Sequence, residues 1–334
     1  MNKKEECAPL ITVLMSVYNG ERWLPECIQS VLEQTFTNLE FIIINDGSDD
    51  SSLQIISHFA KKDSRICFYD RRNYGLTNSL NYGIAKAQGE WIARIDADDI
   101  WSSNKLQKQI ECIQMNTSFV LVGSGLFLID ENSNQCGVYI YPKQHSRLTR
   151  RLSRNSAFFA HSSALFKLST MKKLGGYRAQ FKRSQDQDLW LRLTEIGKIT
   201  CIKEPLVQIR KHIDQISLDK SGESQSLYSF IAMTSYNLRK MGEVDPIETN
   251  EKEKIDAFCA FILQRLKDNF YFEYQRFADE LKKSVSNVET RYEKFNILVK
   301  YSCFKPVFAF RYFKYRLFGS SLPAKFARDW VNYS

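Results

Sequence analysis

The chain has 334 residues, of which 43% are hydrophobic and 25% charged, so it can bury a sizeable core and build one large domain with an appendage. This composition excludes a disordered chain. The eight cysteines form no C-x-x-C pair, which argues against a zinc or redox site. The net charge of +9 predicts anionic partners, namely nucleotides, nucleic acid or lipid headgroups.

No segment supplies the roughly 18 consecutive apolar residues of a membrane-spanning helix. The first 20 residues begin with charges, but their apolar run is short and lacks a small-residue cleavage pattern. We therefore interpret this run as a strand and expect a cytoplasmic protein.

The first part of the chain alternates β-rich runs with amphipathic helical runs. This alternation is typical of an α/β fold in which helices cover a mostly parallel sheet. The expected elements are a strand at 10–19, a helix at 22–35, a strand at 39–46, a helix at 53–62, a strand at 65–70, a helix within 73–90 and a strand at 91–96.

The alternation then loosens, and from about Leu218 the sequence becomes helical as Gly and Pro thin out. We predict a domain at 1–217 and a helical carboxy-terminal region at 218–334. The elements expected between them are helices at 104–115, 147–152, 169–177 and 184–197, strands at 119–130, 137–142 and 157–167, and two short strands within 198–212.

Three polar clusters follow the predicted strands of the first part. Ser16, Tyr18 and Asn19 follow the first strand, residues 46–49 the second, and residues 96–99 the fourth. Ligands of open parallel sheets bind at the carboxyl ends of the strands, which favours one shared pocket. Taken alone, the second cluster also fits an ordinary strand-to-helix turn with acidic capping.

The third cluster places Asp96, Asp98 and Asp99 directly after an apolar strand. Carboxylates this crowded are either solvated or hold a cation, because burying them unpaired is costly. Oxygen ligands without accompanying His or Cys suit Mg²⁺ or Mn²⁺, which commonly share their coordination with substrate phosphates. The sequence contains neither a P-loop nor a G-x-G-x-x-G motif, which argues against an ATPase or a dinucleotide-binding protein. The interpretation that remains is a nucleotide-diphosphate site built from acidic loops.

Three segments, in this order, resemble the motifs of the family 2 glycosyltransferases of the GT-A fold, bacterial enzymes that extend surface polysaccharides from nucleotide sugars. The segments are ITVLMSVYNGERWLPECIQSVLEQTFTNLEFIIINDGSDDSS, GEWIARIDADDIW and SQDQDLWLRL. The resemblance covers roughly residues 9–217 and not the carboxy-terminal third.

The resemblance implies an inverting transfer of a hexose, of glucose or galactose type, from a UDP-sugar to a sugar acceptor. The implied acceptor is a polyprenyl-diphosphate-linked glycan in O-antigen, lipopolysaccharide or capsule synthesis. The implied location is peripheral, on the inner face of the cell membrane, with no nucleic-acid partner.

The resemblance also implies site residues. Tyr18 would pack against the uracil ring, Asp46 would hydrogen-bond the uridine, and Asp96 would lie near the ribose. Asp98 would bind Mn²⁺ or Mg²⁺, with Asp99 as a supporting or alternate ligand.

The base that accepts the acceptor's proton is implied to be Asp186, in a segment where family members commonly carry Glu-Asp. Here Gln185 replaces the glutamate, which changes the local field. Asp188 lies four residues before Arg192, and this spacing favours a helix ion pair instead.

Four further residues carry two interpretations each. Arg94 either touches the nucleotide-sugar phosphate or forms an ion pair within the acidic cluster. His161 either lies near the acceptor or is a hydrogen-bonded core residue. Arg210 or His212 closes over the diphosphate, unless the segment is a solvated loop.

Basic and aromatic residues alternate in residues 291–328. This mixture favours an interfacial helix on an anionic bilayer, a contact with single-stranded nucleic acid, or a helical cap. Two alternatives to the leading function stay open: a metal-dependent nucleotidyltransferase of related fold, and a non-catalytic basic nucleic-acid- or membrane-binding protein.

Overall fold

The computed structural model describes residues 11–154, 158–212, 223–269, 271–286 and 321–333, with six further positions between 290 and 307. The chain forms two compact units. The first contains residues up to 149 together with 158–218, and the second contains 150–157 and 219–334. The predicted boundary between 217 and 218 lies outside the described residues, so the domain limits stay a prediction.

The first unit is built on a parallel four-stranded core. Its strands are hydrogen-bonded in the order β3-β2-β1-β4. Strands β1, β2 and β4 are rich in apolar residues and largely buried, as expected for a parallel sheet covered by helices on both faces, whereas the edge strand β3 is largely exposed. The bounds are β1 Ile11–Val17, β2 Leu39–Asp46, β3 Ile66–Arg71 and β4 Trp91–Arg94, with helices α1 Leu24–Leu32, α2 Ser52–Ala60 and α3 Leu76–Lys86 between them.

The sheet continues with mixed pairing, in the order β3-β2-β1-β4-β8-β6-β9-β5, and β7 pairs with β6 outside this path. Strand β8 is antiparallel to β4 and β6, while β9 is parallel to β6. The bounds are β5 Ile100–Trp101, β6 Phe119–Ile129, β7 Gln135–Tyr139, β8 Leu165–Lys167 and β9 Lys198–Arg210, with helices α4 Lys105–Met115, α5 His145–Leu152, α6 Leu168–Lys173 and α7 Gln185–Ile196. The predicted α/β architecture is confirmed.

Three local predictions were wrong. The strand expected at 157–167 is short, because a 3-10 turn at His161–Ser163 precedes β8. The two strands expected within 198–212 are one strand, β9, whose pairing with β6 shifts register around Pro205. Strand β5 was not predicted, since two residues are too few for a periodic pattern.

The second unit is helical, as predicted for this region. Its core is aromatic: Phe230 packs against Phe326, and Phe258 against Trp330. The helices are α8 Glu223–Lys240, α9 Lys252–Asp268, α10 Tyr271–Ser286 and α11 Leu322–Val331.

Most of the basic and aromatic segment at 291–328 lies outside the described residues. Its last part belongs to α11, where Lys325 and Arg328 are exposed and Phe326 is buried. Within the part of the chain that the structure describes, no helix has the combined length and apolarity needed to cross a bilayer.

Candidate active site

The loops after β1 and β2 are tied together at the carboxyl edge of the parallel sheet. Asn19, with φ of +52°, accepts a hydrogen bond at Oδ1 from the backbone N–H of Asp49 (2.9 Å) and donates its own N–H to Ser48 Oγ (3.1 Å). Asp50 accepts from the backbone N–H groups of Glu21 and Ser52, each at 3.0 Å. Acidic capping therefore explains Asp50, but not Asp46.

Asp46 ends β2 and is buried. Its Oδ1 accepts from the backbone N–H of Tyr74 (2.9 Å) and from the Ser79 hydroxyl (2.6 Å), which fixes the carboxylate in orientation. Tyr18, at the end of β1, is 53% exposed, so its ring is free to meet a ligand.

Sequence reasoning missed Arg71, which is paired in register with Asp46 at the end of β3. Its guanidinium lies over the rings of Tyr82 (4.1 Å) and Tyr74 (4.6 Å), and its buried Nη1 has no hydrogen-bond partner. A single arginine at a strand end gives no sequence signal, because only the register with β2 brings it beside Asp46.

The acidic cluster is organised by Ser162, a second residue that sequence reasoning missed. Its hydroxyl accepts the backbone N–H of Asp96 (2.9 Å), lies 3.0 Å from Asp96 Oδ2 and bonds to Asp99 Oδ2. Ser162 is fully buried, and its own carbonyl accepts from Trp101 Nε1 (2.9 Å).

Asp99 is only 2% exposed, and its second oxygen accepts the backbone N–H of Arg210 (3.1 Å). Burial, together with the charges of Asp98 and Asp96, raises the pKa of the Asp99 carboxyl well above its usual value. Both carboxylate oxygens of Asp99 are therefore engaged in hydrogen bonds that hold the loop. This favours a supporting role for Asp99 over that of an alternate metal ligand.

Asp98 differs from Asp99 because its carboxylate is 26% exposed. Its Oδ2 lies 2.8 Å from His212 Nε2, and the His212 ring packs against Trp23 with centroids 4.3 Å apart. Burial and the charge of Asp96 raise the pKa of Asp98, against the lowering effect of the His212 hydrogen bond. Asp98 and His212 thus form a pair at the open side of the cluster.

Arg210 is buried and holds the surrounding loops. Its Nε donates to the Asp98 carbonyl (3.1 Å), its Nη1 to the Asp130 carbonyl (3.2 Å) and Ser133 Oγ (2.9 Å), and its Nη2 to Glu26 Oε2 (2.8 Å). A guanidinium used in this way holds the Asp98 backbone, which disfavours Arg210 as the residue that closes over the diphosphate. Of the two residues proposed for that role, His212 is the better placed.

Arg94 has two interpretations from the sequence, a contact with the nucleotide-sugar phosphate or an ion pair within the acidic cluster. Its side chain has no exposed surface and forms an ion pair with Asp96, while its Nε and Nη1 have no hydrogen-bond partner. Burial would raise the pKa of Asp96, but the charge of Arg94 reverses this and leaves that pKa below its usual value. These contacts favour the ion-pair interpretation of Arg94.

Asp186 lies in the first turn of α7, where its Oδ1 accepts the backbone N–H of Gln187 (2.8 Å). Burial, with a contribution from the charge of Asp96, raises the pKa of Asp186 to about 6. Within the described part of the chain no cationic side chain pairs with it. A carboxyl of this pKa is ionised at neutral pH yet remains basic enough to accept a proton.

Asp188 has a different environment, although it lies only two residues further along. It is buried and forms ion pairs with Arg178 and with Arg192, whose Nε lies 3.0 Å from Oδ2. The predicted i,i+4 ion pair is confirmed.

His161 is buried, with Nε2 2.7 Å from the Tyr177 hydroxyl and its ring 5.8 Å from the Trp190 ring. Burial lowers the pKa of His161 to about 3, so the ring is neutral at physiological pH. These contacts favour the interpretation of a hydrogen-bonded core histidine.

Few side chains in the site are available as ligands for a divalent cation. Among the residues that the structure describes, no three His, Cys, Asp or Glu side chains converge on a metal position. The pair of Asp98 and His212 supplies one or two hard or borderline ligands, and His212 has a buried Nδ1 without a partner. This set fits Mn²⁺ or Mg²⁺ if phosphate oxygens complete the coordination.

A mostly parallel sheet flanked by helices, with acidic loops at its carboxyl edge, fits the α/β architecture of the GT-A fold. The family model described as Glycosyl transferase family 2 matches residues 12–175. The O-antigen biosynthesis glycosyltransferase WbnJ of Escherichia coli is 31% identical over 259 residues, which cover 76% of this chain and 97% of WbnJ. The chain belongs to glycosyltransferase family 2.

Other relatives agree. The putative glycosyltransferase EpsE of Bacillus subtilis is 32% identical over 211 residues, covering 62% of this chain and 74% of EpsE. Family membership favours the glycosyltransferase interpretation over the nucleotidyltransferase and the non-catalytic binding protein.

Solved structures confirm the GT-A fold. S. aureus TarS 1-349 in complex with UDP-GlcNAc superimposes with a TM-score of 0.57 at 15% identity, covering 97% of this chain and 92% of TarS 1-349. The mannosyltransferase PcManGT of Pyrobaculum calidifontis, in complex with GDP-Man and Mn²⁺, has a TM-score of 0.53 at 13% identity, covering 93% of this chain and 88% of PcManGT.

Proposed function

We propose that this protein is a metal-dependent, inverting glycosyltransferase that moves a hexose from a UDP-sugar to a lipid-linked glycan acceptor. The observation that carries the proposal is a contrast within the site. Among the described residues, Asp98 pairs only with His212 and Asp186 has no cationic partner, while their neighbours Asp96, Asp99 and Asp188 are bound into the fold. Carboxylates kept in this state suit a metal ligand and a general base.

Uridine binding is assigned to Tyr18, Asp46 and Arg71. Asp46 is oriented by two hydrogen bonds, and Tyr18 offers an exposed ring for stacking against a base. Arg71 is paired in register with Asp46, and its buried, unpaired Nη1 supplies a donor for a base carbonyl. The relative TarS binds UDP-GlcNAc, which supports UDP as the nucleotide.

Diphosphate binding is assigned to Asp98, with His212 as its partner. When bound there, Mn²⁺ or Mg²⁺ neutralises the charge that develops on the departing UDP. Arg210 holds the Asp98 backbone in place through its Nε. PcManGT was solved with Mn²⁺, which supports a divalent ion in this fold.

Asp186 is assigned as the base. Inverting transfer requires a carboxylate that removes the acceptor hydroxyl's proton while the oxygen attacks the anomeric carbon from the face opposite UDP. Above its pKa of about 6, Asp186 is ionised and able to do so. Gln185, neutral where the family resemblance implies a glutamate, adds no further negative charge beside it.

The acceptor is proposed to be a polyprenyl-diphosphate-linked glycan of O-antigen, lipopolysaccharide or capsule assembly, reached at the inner face of the cell membrane. The positive net charge of the chain and the role of its relative WbnJ in O-antigen biosynthesis support this assignment. The hexose is expected to be of glucose or galactose type.

The test is to incubate the protein with Mn²⁺, a synthetic lipid-diphosphate acceptor and a panel of radiolabelled nucleotide sugars. We expect transfer from one UDP-hexose, abolished by EDTA, with the anomeric configuration of the product inverted in its NMR spectrum. Transfer that persists in EDTA, or a product of retained configuration, would contradict the proposed mechanism.

A further inference from the structure

The excess positive charge of this chain lies in two segments, residues 132–185 and the basic and aromatic residues 291–328. Residues 132–185 contain eleven Lys and Arg and no Asp or Glu, whereas the whole chain has a net charge of +9. The remaining residues therefore carry a net charge of −2. Residues 291–328 contain nine Lys and Arg and one Glu, so both segments carry excess positive charge. Residues 132–185, the acid-free segment, lie almost wholly within the described part of the chain.

The acid-free segment also contains an exposed apolar run at the end of β7. Val138, Tyr139 and Ile140 are 52%, 46% and 49% exposed. Successive strand residues point to opposite faces, so three exposed neighbours mean that this end of β7 is uncovered on both faces. Within the described residues β7 pairs only with β6, which leaves its other edge unpaired.

Exposed cations follow the apolar run directly. Lys143 and Arg147 are both exposed, and α5 carries Arg150 and Arg151 in its last turn. The buried face of α5 is formed by Leu148 and Leu152, so its basic residues lie on the opposite, solvent-facing side.

We propose that Val138, Tyr139, Ile140, Lys143 and Arg147, the β7 patch, form a docking surface for an anionic lipid bilayer. Apolar side chains enter the boundary between headgroups and acyl chains, Tyr favours the headgroup level, and Lys and Arg bind anionic headgroups. The β7 patch contains all three kinds of side chain, and the acid-free segment to which it belongs has no carboxylate that would repel anionic headgroups.

Charge also argues against a second copy of the chain as the occupant. Two copies docked face to face through this same patch would bury Lys143 and Arg147 of both copies against a patch that holds no carboxylate, and buried unpaired charges are costly. Nucleic acid would use the cations but would leave Val138 and Ile140 exposed, so it accounts for only part of the surface.

The β7 patch is joined to the candidate active site by one hairpin. The turn between β6 and β7 supplies the Asp130 carbonyl and Ser133 Oγ to Arg210, and β6 pairs with β9 up to Ile129 and Arg210. Docking at β7 would therefore hold the site close to a membrane. This consequence rests on the proposed lipid-linked acceptor, whereas lipid binding itself does not.

The experiment is sedimentation of the full chain with phosphatidylcholine vesicles, with and without phosphatidylglycerol. We expect binding only to the vesicles that contain phosphatidylglycerol, weakening as salt is raised. The variant V138S/Y139S/I140S should bind at least about tenfold more weakly, and K143Q/R147Q about tenfold more weakly at low salt.

Two matched variants separate the β7 patch from general surface effects. M115S removes a side chain that is 86% exposed on α4, and K172Q/K173Q removes two exposed cations from the acid-free segment. Both should bind vesicles nearly as the unchanged protein does. Thermal unfolding and Mn²⁺-dependent UDP binding, measured on every variant, show whether the fold and the candidate site are intact.

Several results would overturn the inference. These are equal sedimentation of V138S/Y139S/I140S and the unchanged protein, loss of binding in the matched variants to the same degree, and no binding of the unchanged protein to either kind of vesicle. A dimer that V138S/Y139S/I140S abolishes would assign the patch to a second copy instead, and binding of an oligonucleotide in place of vesicles would assign it to nucleic acid. Failure of UDP binding in the unchanged protein would contradict the proposed function but not the vesicle result.

Discussion

Two regions of the site each place two carboxylates close together, and in each region the two carboxylates have different partners. After β4, Asp98 and Asp99 are adjacent, and in the first turn of α7, Asp186 and Asp188 are two residues apart. In each region one carboxylate is bound into the fold: Asp99 by Ser162 and the Arg210 backbone, and Asp188 by two arginines.

The other member of each pair keeps capacity for a ligand. Asp98 is 26% exposed, and its carboxylate pairs with His212. Burial raises the pKa of Asp186 to about 6. The comparison shows that carboxylate position in the sequence is a poor guide to role. The partners that each carboxylate has already acquired are a better guide.

The largest expected effect separates Asp186 from Asp188. D186N should lower kcat by about a thousandfold, since general-base catalysis contributes about 10² to 10⁴. The stability of D186N should be unchanged or slightly higher, because the neutral amide replaces a carboxylate whose ionisation is disfavoured by burial. Turnover and thermal unfolding measured side by side test this, and a D186N enzyme that retains most of its kcat would remove Asp186 as the base.

D98N should lower kcat/KM by about a hundredfold or more, because a bound metal contributes several kcal/mol of charge stabilisation. The matched variant is D49N, which alters an exposed carboxylate in the neighbouring loop. D49N should be close to unchanged. Equal activity of D98N and D49N across a Mn²⁺ titration would show that Asp98 does not hold the metal.

D188N, unlike D186N, should lower the stability of the protein. It removes the negative partner of the largely buried arginines Arg178 and Arg192, which should cost about 3 to 5 kcal/mol in the free energy of unfolding. Urea unfolding measures this. A loss of activity in D188N without a loss of stability would reverse the roles assigned to the two residues.

S162A tests the support beneath the acidic cluster. Loss of its hydroxyl frees the Asp96 backbone N–H and the Asp99 carboxyl, so we expect the Mn²⁺ concentration for half-maximal activity to rise about tenfold. At saturating Mn²⁺ most of kcat should return. If kcat stays low at every Mn²⁺ concentration, Ser162 does more than position the cluster.

The pH dependence gives the smallest and most specific effect. Because burial raises the pKa of Asp186, folding favours its protonated form, and the base is lost as the pH falls through about 6. The rate should therefore fall below that pH, about tenfold per unit. A kcat/KM profile that stays flat from pH 7 to pH 5 would contradict this assignment, because Asp186 should change from mostly ionised to mostly protonated over that range.

Much of the fold was predictable because it is local. Periodic runs such as residues 39–46 and 91–96 identify buried strands, and the acidic loops that follow them indicate a ligand edge. The parallel order of strands then brings the loops together. The ion pair of Asp188 and Arg192 was also predictable, because it follows from helical spacing alone.

What the sequence did not reveal depends on contacts between distant residues. Ser162 reaches Asp96 across 66 positions and Arg210 reaches Asp99 across 111, and neither distance leaves a periodic signal. Two interpretations of Arg94, a phosphate contact and an ion pair, stayed open in the sequence because its strand ends at the site. Only the packed structure shows that its side chain is fully buried.

The central claim is that Asp98 joins a divalent cation to the diphosphate of UDP, and titration calorimetry tests it directly. UDP should bind the unchanged protein in the presence of Mn²⁺, bind much more weakly in EDTA, and bind D98N equally weakly under both conditions. UDP binding to the unchanged protein that is the same with Mn²⁺ and with EDTA would contradict the claim.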